Sequence, residues 1–275
     1  MATAYKFDTS GLASTLMVIT PELASKWLED ANTSNRNISQ RQVDKLAYDM
    51  VTGNWRTTHQ GIAFYDDGAL ADGQHRLAAI VKSGIAQTML VITGLSRSDC
   101  IGIDQHRPRS VVDTIRISEG ENWINKNVVS VSRFLMSLGN NRVATISQIR
   151  EFAHAHKGCI LFALSTFGRS RRYMSTAPVF AAVAVAAMNG VDREKLAQFS
   201  EILLNGAATS PTHLAAIRLR EWLMKPERAY GALYQNSVYL RSQRAIEAFV
   251  ASQPLGRLYE PSEPIWTVPL TDYQG

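Results

Sequence analysis

Residues 61–84 read GIAFYDDGALADGQHRLAAIVKSG, and this stretch constrains the chain most. Gly61-Ile62-Ala63-Phe64-Tyr65 is apolar and β-prone, so it predicts a strand. Asp66-Asp67-Gly68 predicts a turn. Leu77, Ile80 and Val81 then fall on one helical face, and Gly84 predicts the stop. Between turn and helix stand Asp72, Gly73, Gln74, His75 and Arg76. Five polar or flexible residues are an unusual opening for a helix that only packs.

The flanking chain extends the same α/β pattern. Leu16 to Ile19 predicts a strand, and Thr20-Pro21 opens a helix with Leu23, Ala24, Trp27 and Leu28 on one face. Ala31 to Ile38 is a polar loop. Ser39 and Gln42 have capping-box spacing. They precede Val43, Leu46, Ala47, Met50 and Val51 at helical intervals, with Gly53 as terminator. Thr88 to Ile92 predicts another strand. Beyond about residue 120 strand signals nearly vanish, and helices are expected near 123–138, 145–157, 176–189, 192–204, 211–224 and 237–251. The expected class is α+β: a lead at 1–14, a small α/β unit at 15–120, a helical part at 121–253 and an extended tail at 254–275.

Composition excludes some classes. Only Cys100 and Cys159 are present, with no metal-like spacing, so a disulfide scaffold is not expected and both thiols are expected to be buried. The start lacks a basic segment followed by a long apolar one, and the apolar run Ala177–Met188 is too short to span a bilayer. The expected setting is cytoplasmic, with no membrane partner. A formal net charge of +5 suits nucleotide or nucleic-acid partners.

A helix start offers unpaired N–H groups and the positive end of the dipole, where phosphate binds readily. Gly73 allows close approach of a ligand. Gln74 and His75 add donors, and Arg76 adds a planar fork. Asp72 reads two ways. As a cap, its carboxylate would face the N–H of Gln74 or His75. As a working carboxylate, it would bind magnesium or accept a proton.

The order NRNISQRQVDKLAYDMVTGNW, GIAFYDDGALADGQHRLAAIVKSG and VITGL resembles the ParB/sulfiredoxin-like superfamily, in its phage and mobile-element form. The motif is similar to the DGQHR signature of proteins linked to DNA phosphorothioation. It is also similar to the Gly-x-x-Arg-x-x-Ala motif of partition proteins, with Gly73, Arg76 and Ala79 in those places. The resemblance covers about residues 15–115 and implies a nucleotide or phosphate at this helix. Gln74 stands where sulfiredoxins carry their cysteine, so reductase chemistry does not carry over. Asp72-Gly73 matches the related motif of the free-serine kinase. The resemblance thus implies ATP, another nucleoside triphosphate or ADP, with Mg2+, and phosphoryl transfer or hydrolysis.

Asp72, His75 and Asp104 are the catalytic candidates. Asp72 and Asp104 are also the candidate magnesium ligands. Gly73, Gln74, His75, Arg76, Arg36, Arg107, Arg109 and Ser110 are candidate phosphate binders. The dense run from Asp104 to Ser110 is equally a charged turn leading into a helix. His59 and Gln60 read as a loop-end pair or as pocket-lining residues. Arg169, Arg171 and Arg172, beside Tyr173, can grip a nucleic-acid backbone, or form a solvated loop. Arg218, Arg220, Arg241 and Arg244 read as surface residues.

Two functions follow as expectations. One is a kinase-like phosphotransferase or NTPase, phage-encoded, acting on a hydroxyl of a modified base in DNA. The other is a nucleotide-switched DNA-binding protein without phosphoryl transfer.

Overall fold

The computed structural model describes residues 11–33, 35, 37–98, 110–119, 122–139, 144–168, 170–225 and 231–269. The class is α+β, with a small mixed sheet in the N-terminal unit and helices after it. The chain divides into two compact units between Pro108 and Arg109. That boundary precedes the expected one near 120, because Val111–Glu119 is a helix that packs with later helices.

The first unit runs β1 (Ala13–Ile19), α1 (Pro21–Asp30), α2 (Gln40–Val51), β2 (Ile62–Tyr65), β3 (Leu70–Asp72), α3 (Gln74–Ser83) and β4 (Gln87–Leu95). The strand order is β1-β4-β2-β3. β1 and β4 are antiparallel, β4 and β2 parallel, and β2 and β3 antiparallel. A parallel pair needs a crossover, and α3 is the helix in that crossover. Alternation along β4 buries Met89, Val91 and Thr93 while Leu90 and Ile92 on the opposite face stay half-buried. The apolar core joins that buried face to Ala24, Trp27, Val43, Ala47, Met50, Leu77 and Ile80. The Trp27 and Phe64 rings meet edge to face at 5.1 Å.

Local signals explain most of these elements. The Thr20 hydroxyl accepts from the N–H of Leu23 at 3.2 Å, and Pro21 opens α1. Two expectations need correction, and one strand is unforeseen. Val51 and Val81 are 60% and 40% exposed, because Met50 and Ile80 already fill the facing positions. β3 has no separate signal in the sequence, being three residues long. Ser39 precedes α2, but its side chain makes no capping bond. Its backbone N–H, which Gln42 would cap in a box, donates instead to Nε2 of His75 at 3.0 Å.

The second unit continues with α4 (Val111–Glu119), α5 (Lys126–Leu138), α6 (Ile146–Ala155), α7 (Lys157–Ser165), α8 (Ala177–Met188), α9 (Arg193–Asn205), α10 (Leu214–Leu223) and α11 (Ala232–Val250). A short 3-10 turn, Pro211–His213, leads into α10. α8 is buried from Pro178 to Ala186. A helix apolar all round must lie inside a bundle, and α5, α7, α9 and α11 pack against it. Among the described residues no helix is long and apolar enough to cross a membrane. α7 has no counterpart in the expected set, because KGCILFALS is apolar without a helical period. Cys159 lies on it and is half-buried rather than buried, while Cys100 lies outside the described residues.

Arginines that read as surface residues are partly structural. Arg220 Nη1 donates to the Leu203 and Leu204 carbonyls, both at 2.6 Å, and so caps the end of α9. Arg241 lies over the Trp222 ring and Arg244 over Tyr259. Arg218 is exposed and pairs with Glu221.

The tail beyond α11 has no regular structure up to residue 269, yet it is fastened down. Gln243 is fully buried. Its Oε1 accepts from the N–H groups of Ile265 (2.7 Å) and Trp266 (3.2 Å). Its Nε2 donates to Tyr239 Oη (2.7 Å) and the Trp266 carbonyl (2.8 Å). Asn189 Nδ2 adds a bond to the Thr267 carbonyl at 2.8 Å. Gln243→Leu leaves these tail groups without their buried partner, at about 1–3 kcal/mol per unsatisfied group. The expected outcome is rapid proteolytic cleavage within residues 254–269 under native conditions, where the wild type is resistant.

Candidate phosphate-binding site

α3 begins abruptly. Asp72 is the last residue of β3, and Gly73 turns the chain with φ +110°. A side chain there is strained by that backbone angle, and its Cβ would sit 2.6 Å from Ile62 Cδ1. The turn is held from outside by a chain of amides. Asn35 Nδ2 donates to the Leu70 carbonyl (2.7 Å) and to Asn32 Oδ1 (2.8 Å). Asn32 Nδ2 donates to Gln74 Oε1 at 3.3 Å. The polar loop before α2 therefore fastens the start of β3 to the start of α3.

A cavity of about 920 Å³ opens beside this turn, within the first unit. Asn37, Ser39, Gln42 and Leu46 line it from the start and face of α2. Asp72, Gly73, His75 and Arg76 line it from the start of α3. Trp55, Arg56, Thr58, His59, Gln60 and Gly61 come from the loop before β2, and Ala63 and Ile92 from the sheet. Two helix N-termini thus border one cavity, joined by the bond from Ser39 N–H to His75. Both present the positive ends of their dipoles. Among the described residues two arginines line the cavity, and Asp72 is the one carboxylate in its lining.

Asp72 resolves in a third way, neither cap nor unengaged carboxylate. Its Oδ1 accepts from the N–H of Gly73 at 2.7 Å. Its Oδ2 pairs with Arg76 Nη2 at 2.7 Å. The side chain of Arg76 is 17% exposed and that of Asp72 is 42% exposed. Arg76 Nε and Trp55 Nε1 are buried without a hydrogen-bond partner among the described residues. Buried donors of this kind are costly until an acceptor reaches them.

His75 accepts at Nε2, so that nitrogen carries no proton in this arrangement. Its evident role is to join the two helix starts. Gln74 is only 4% exposed and turns to Asn32, so it does not line the cavity as a phosphate donor would. Arg56 is the clearest residue missed from sequence. Its Nη1 donates to the carbonyls of Gly53 (2.6 Å) and Trp55 (2.8 Å), which steadies the guanidinium at the cavity. The Trp-Arg pair after a helix end carried no motif to flag it. His59 and Gln60 do line the cavity.

Ser110 belongs to the second unit, where it caps α4. Its hydroxyl and N–H donate to Asp113 Oδ2 at 2.7 and 3.2 Å, and the hydroxyl accepts from Asp113 N–H at 3.1 Å. That reciprocal cap accounts for the residue without a phosphate. Arg36, Asp104, Arg107, Arg109 and Arg169 lie outside the described residues. Arg171 and Arg172 are exposed, with the Arg172 guanidinium 4.8 Å from the Tyr173 ring centre. Tyr173 itself has φ +73°, an uncommon backbone state for a residue with a side chain.

No family model, curated protein or solved structure matches this chain. What the cavity can do therefore rests on its own residues. Its size suits a small organic ligand, and its arginines and helix starts suit anionic oxygens. Among the described residues no three His, Cys, Asp or Glu side chains cluster as a metal cage. A lone carboxylate suits magnesium only in the mode where phosphate oxygens supply other ligands.

Proposed function

We propose that this cavity holds the phosphates of a nucleoside triphosphate, as in the ParB/sulfiredoxin-like superfamily, and that the protein transfers or hydrolyses the terminal phosphoryl group. The observation that supports it is the convergence of two helix N-termini, Arg56 and Arg76 on one cavity whose only lining carboxylate among the described residues is Asp72. Arg76 and Arg56 bind phosphate oxygens, and Gly73 keeps the wall low enough for approach. Asp72 accepts the proton of an acceptor hydroxyl or water. The acceptor oxygen then bonds to the terminal phosphorus, the bond from that phosphorus to its bridging oxygen breaks, and a nucleoside diphosphate leaves with the electron pair. Magnesium bound with the triphosphate would neutralise phosphate charge, and Asp72 would hold it only in the alternative in which water, rather than this carboxylate, takes the proton. Catalysis of this type is mostly positioning and electrostatics.

The acceptor we favour is a hydroxyl on a modified base in DNA. The net charge of +5 and the exposed Arg171 and Arg172 support DNA as partner. The test uses ATP labelled on the terminal phosphate, with and without DNA carrying hydroxymethylated bases. Label on the DNA supports the kinase, and label released as free phosphate supports the NTPase. Absence of both, together with salt-sensitive DNA binding that survives Arg76→Ala, contradicts phosphoryl transfer and supports a DNA-binding protein instead.

A further inference from the structure

We propose that Asp72 and Arg76 form a latch that a polyphosphate opens, so that the carboxylate becomes available only when the ligand is in place. The inference rests on the phosphate-site reading and adds a control to it. In the structure Arg76 Nη2 is engaged by Asp72 Oδ2 at 2.7 Å, while its buried Nε has no partner among the described residues. A guanidinium binds best through two parallel N–H groups, and one carboxylate oxygen uses only part of that fork. A di- or triphosphate carries more charge than a carboxylate and offers several oxygens, so it competes for Arg76 at close range.

The exchange leaves Asp72 in position. Its Oδ1 still accepts from the N–H of Gly73, a backbone group at the fixed junction of β3 and α3. Only Oδ2 loses its cation. That oxygen is then the natural proton acceptor for a hydroxyl next to the terminal phosphate. Before the ligand arrives, the same oxygen is occupied by Arg76, and the site lacks a carboxylate ready to take a proton. Arg76 thus acts twice, as a phosphate binder and as the positioning residue that holds Asp72 in check.

The latch makes an uncommon prediction, because losing the carboxylate should strengthen binding. Inorganic triphosphate is titrated calorimetrically against wild type, Asp72→Asn, Arg76→Ala and the double variant, each checked for folding by circular dichroism. Asp72→Asn is expected to bind about fivefold tighter, the scale of a partly exposed ion pair. In the Arg76→Ala background the same change is expected to have less than about a twofold effect, because the latch is already gone. If Arg76→Ala binds too weakly to titrate, Arg76→Gln replaces it, removing the ion pair while keeping a hydrogen-bond donor. If Asp72→Asn does not fold, Asp72→Ser replaces it.

A gain of equal size in both backgrounds would reflect lost negative charge alone and overturns the latch. Unchanged or weaker binding by folded Asp72→Asn also overturns it, while the phosphate site stands. No binding by any folded protein overturns the phosphate-site reading itself.

Discussion

Asp72→Ala is expected to slow phosphoryl transfer or hydrolysis by about 10²–10⁴-fold, the usual contribution of a positioned general base. Nucleotide binding should be retained or strengthened. That split is what separates a working carboxylate from a structural one. A residue whose task was to brace the start of α3 would, on removal, weaken binding by disturbing Gly73 and Arg76. The bonds of Asp72 are to the Gly73 N–H and to Arg76, so the concern is real. Single-turnover kinetics at saturating ATP resolve it by separating affinity from rate. Near-normal turnover by a folded Asp72→Ala protein would remove Asp72 from the reaction.

The largest effect on stability is expected at Gly61, which lines the cavity where the loop enters β2. A Cβ built there lies 1.7 Å from the Leu90 carbonyl oxygen and 2.6 Å from its carbon. Neither atom can rotate away, since Leu90 is in the middle of β4. Gly61→Ala must therefore push β2 from β4, the parallel pair that spans the centre of the sheet. We expect destabilisation of the first unit by about 4 kcal/mol or more, in the exceptional range for one substitution. Gly73→Ala should be milder. Its closest neighbour, Ile62 Cδ1, is the end of a flexible side chain, and the remaining cost is the positive φ and the Ile62 Cα at 3.2 Å. Urea titrations of both variants give the order, and the reverse order would contradict this account of the two glycines.

Elements with strong local chemistry were readable in the sequence. α1 shows its Thr20-Pro21 start, and α3 shows its apolar face through Leu77 and Ile80. β3 and α7 escaped for opposite reasons. One is too short to show alternation, and the other is apolar without period. At the site, the DGQHR segment marked the correct turn, but not the direction of each side chain. Gln74 faces the loop and His75 faces the start of α2, because Asn32 and the Ser39 N–H lie there in space, not in sequence. The same limit hid Arg56. Its place at the cavity depends on how the loop between α2 and β2 folds back, held by Thr57 Oγ1 on the Thr88 carbonyl at 2.8 Å.

The proposed binding of nucleotide phosphates by Arg76 and the helix starts beside it is open to direct test. Its most direct measurement is a calorimetric titration of wild type and Arg76→Ala with a non-hydrolysable ATP analogue and magnesium. Saturable binding by the wild type is expected, with an affinity loss of about tenfold or more in Arg76→Ala, the scale of a lost charged hydrogen bond. Absence of binding by the folded wild type, or equal affinity in the two proteins, would contradict it.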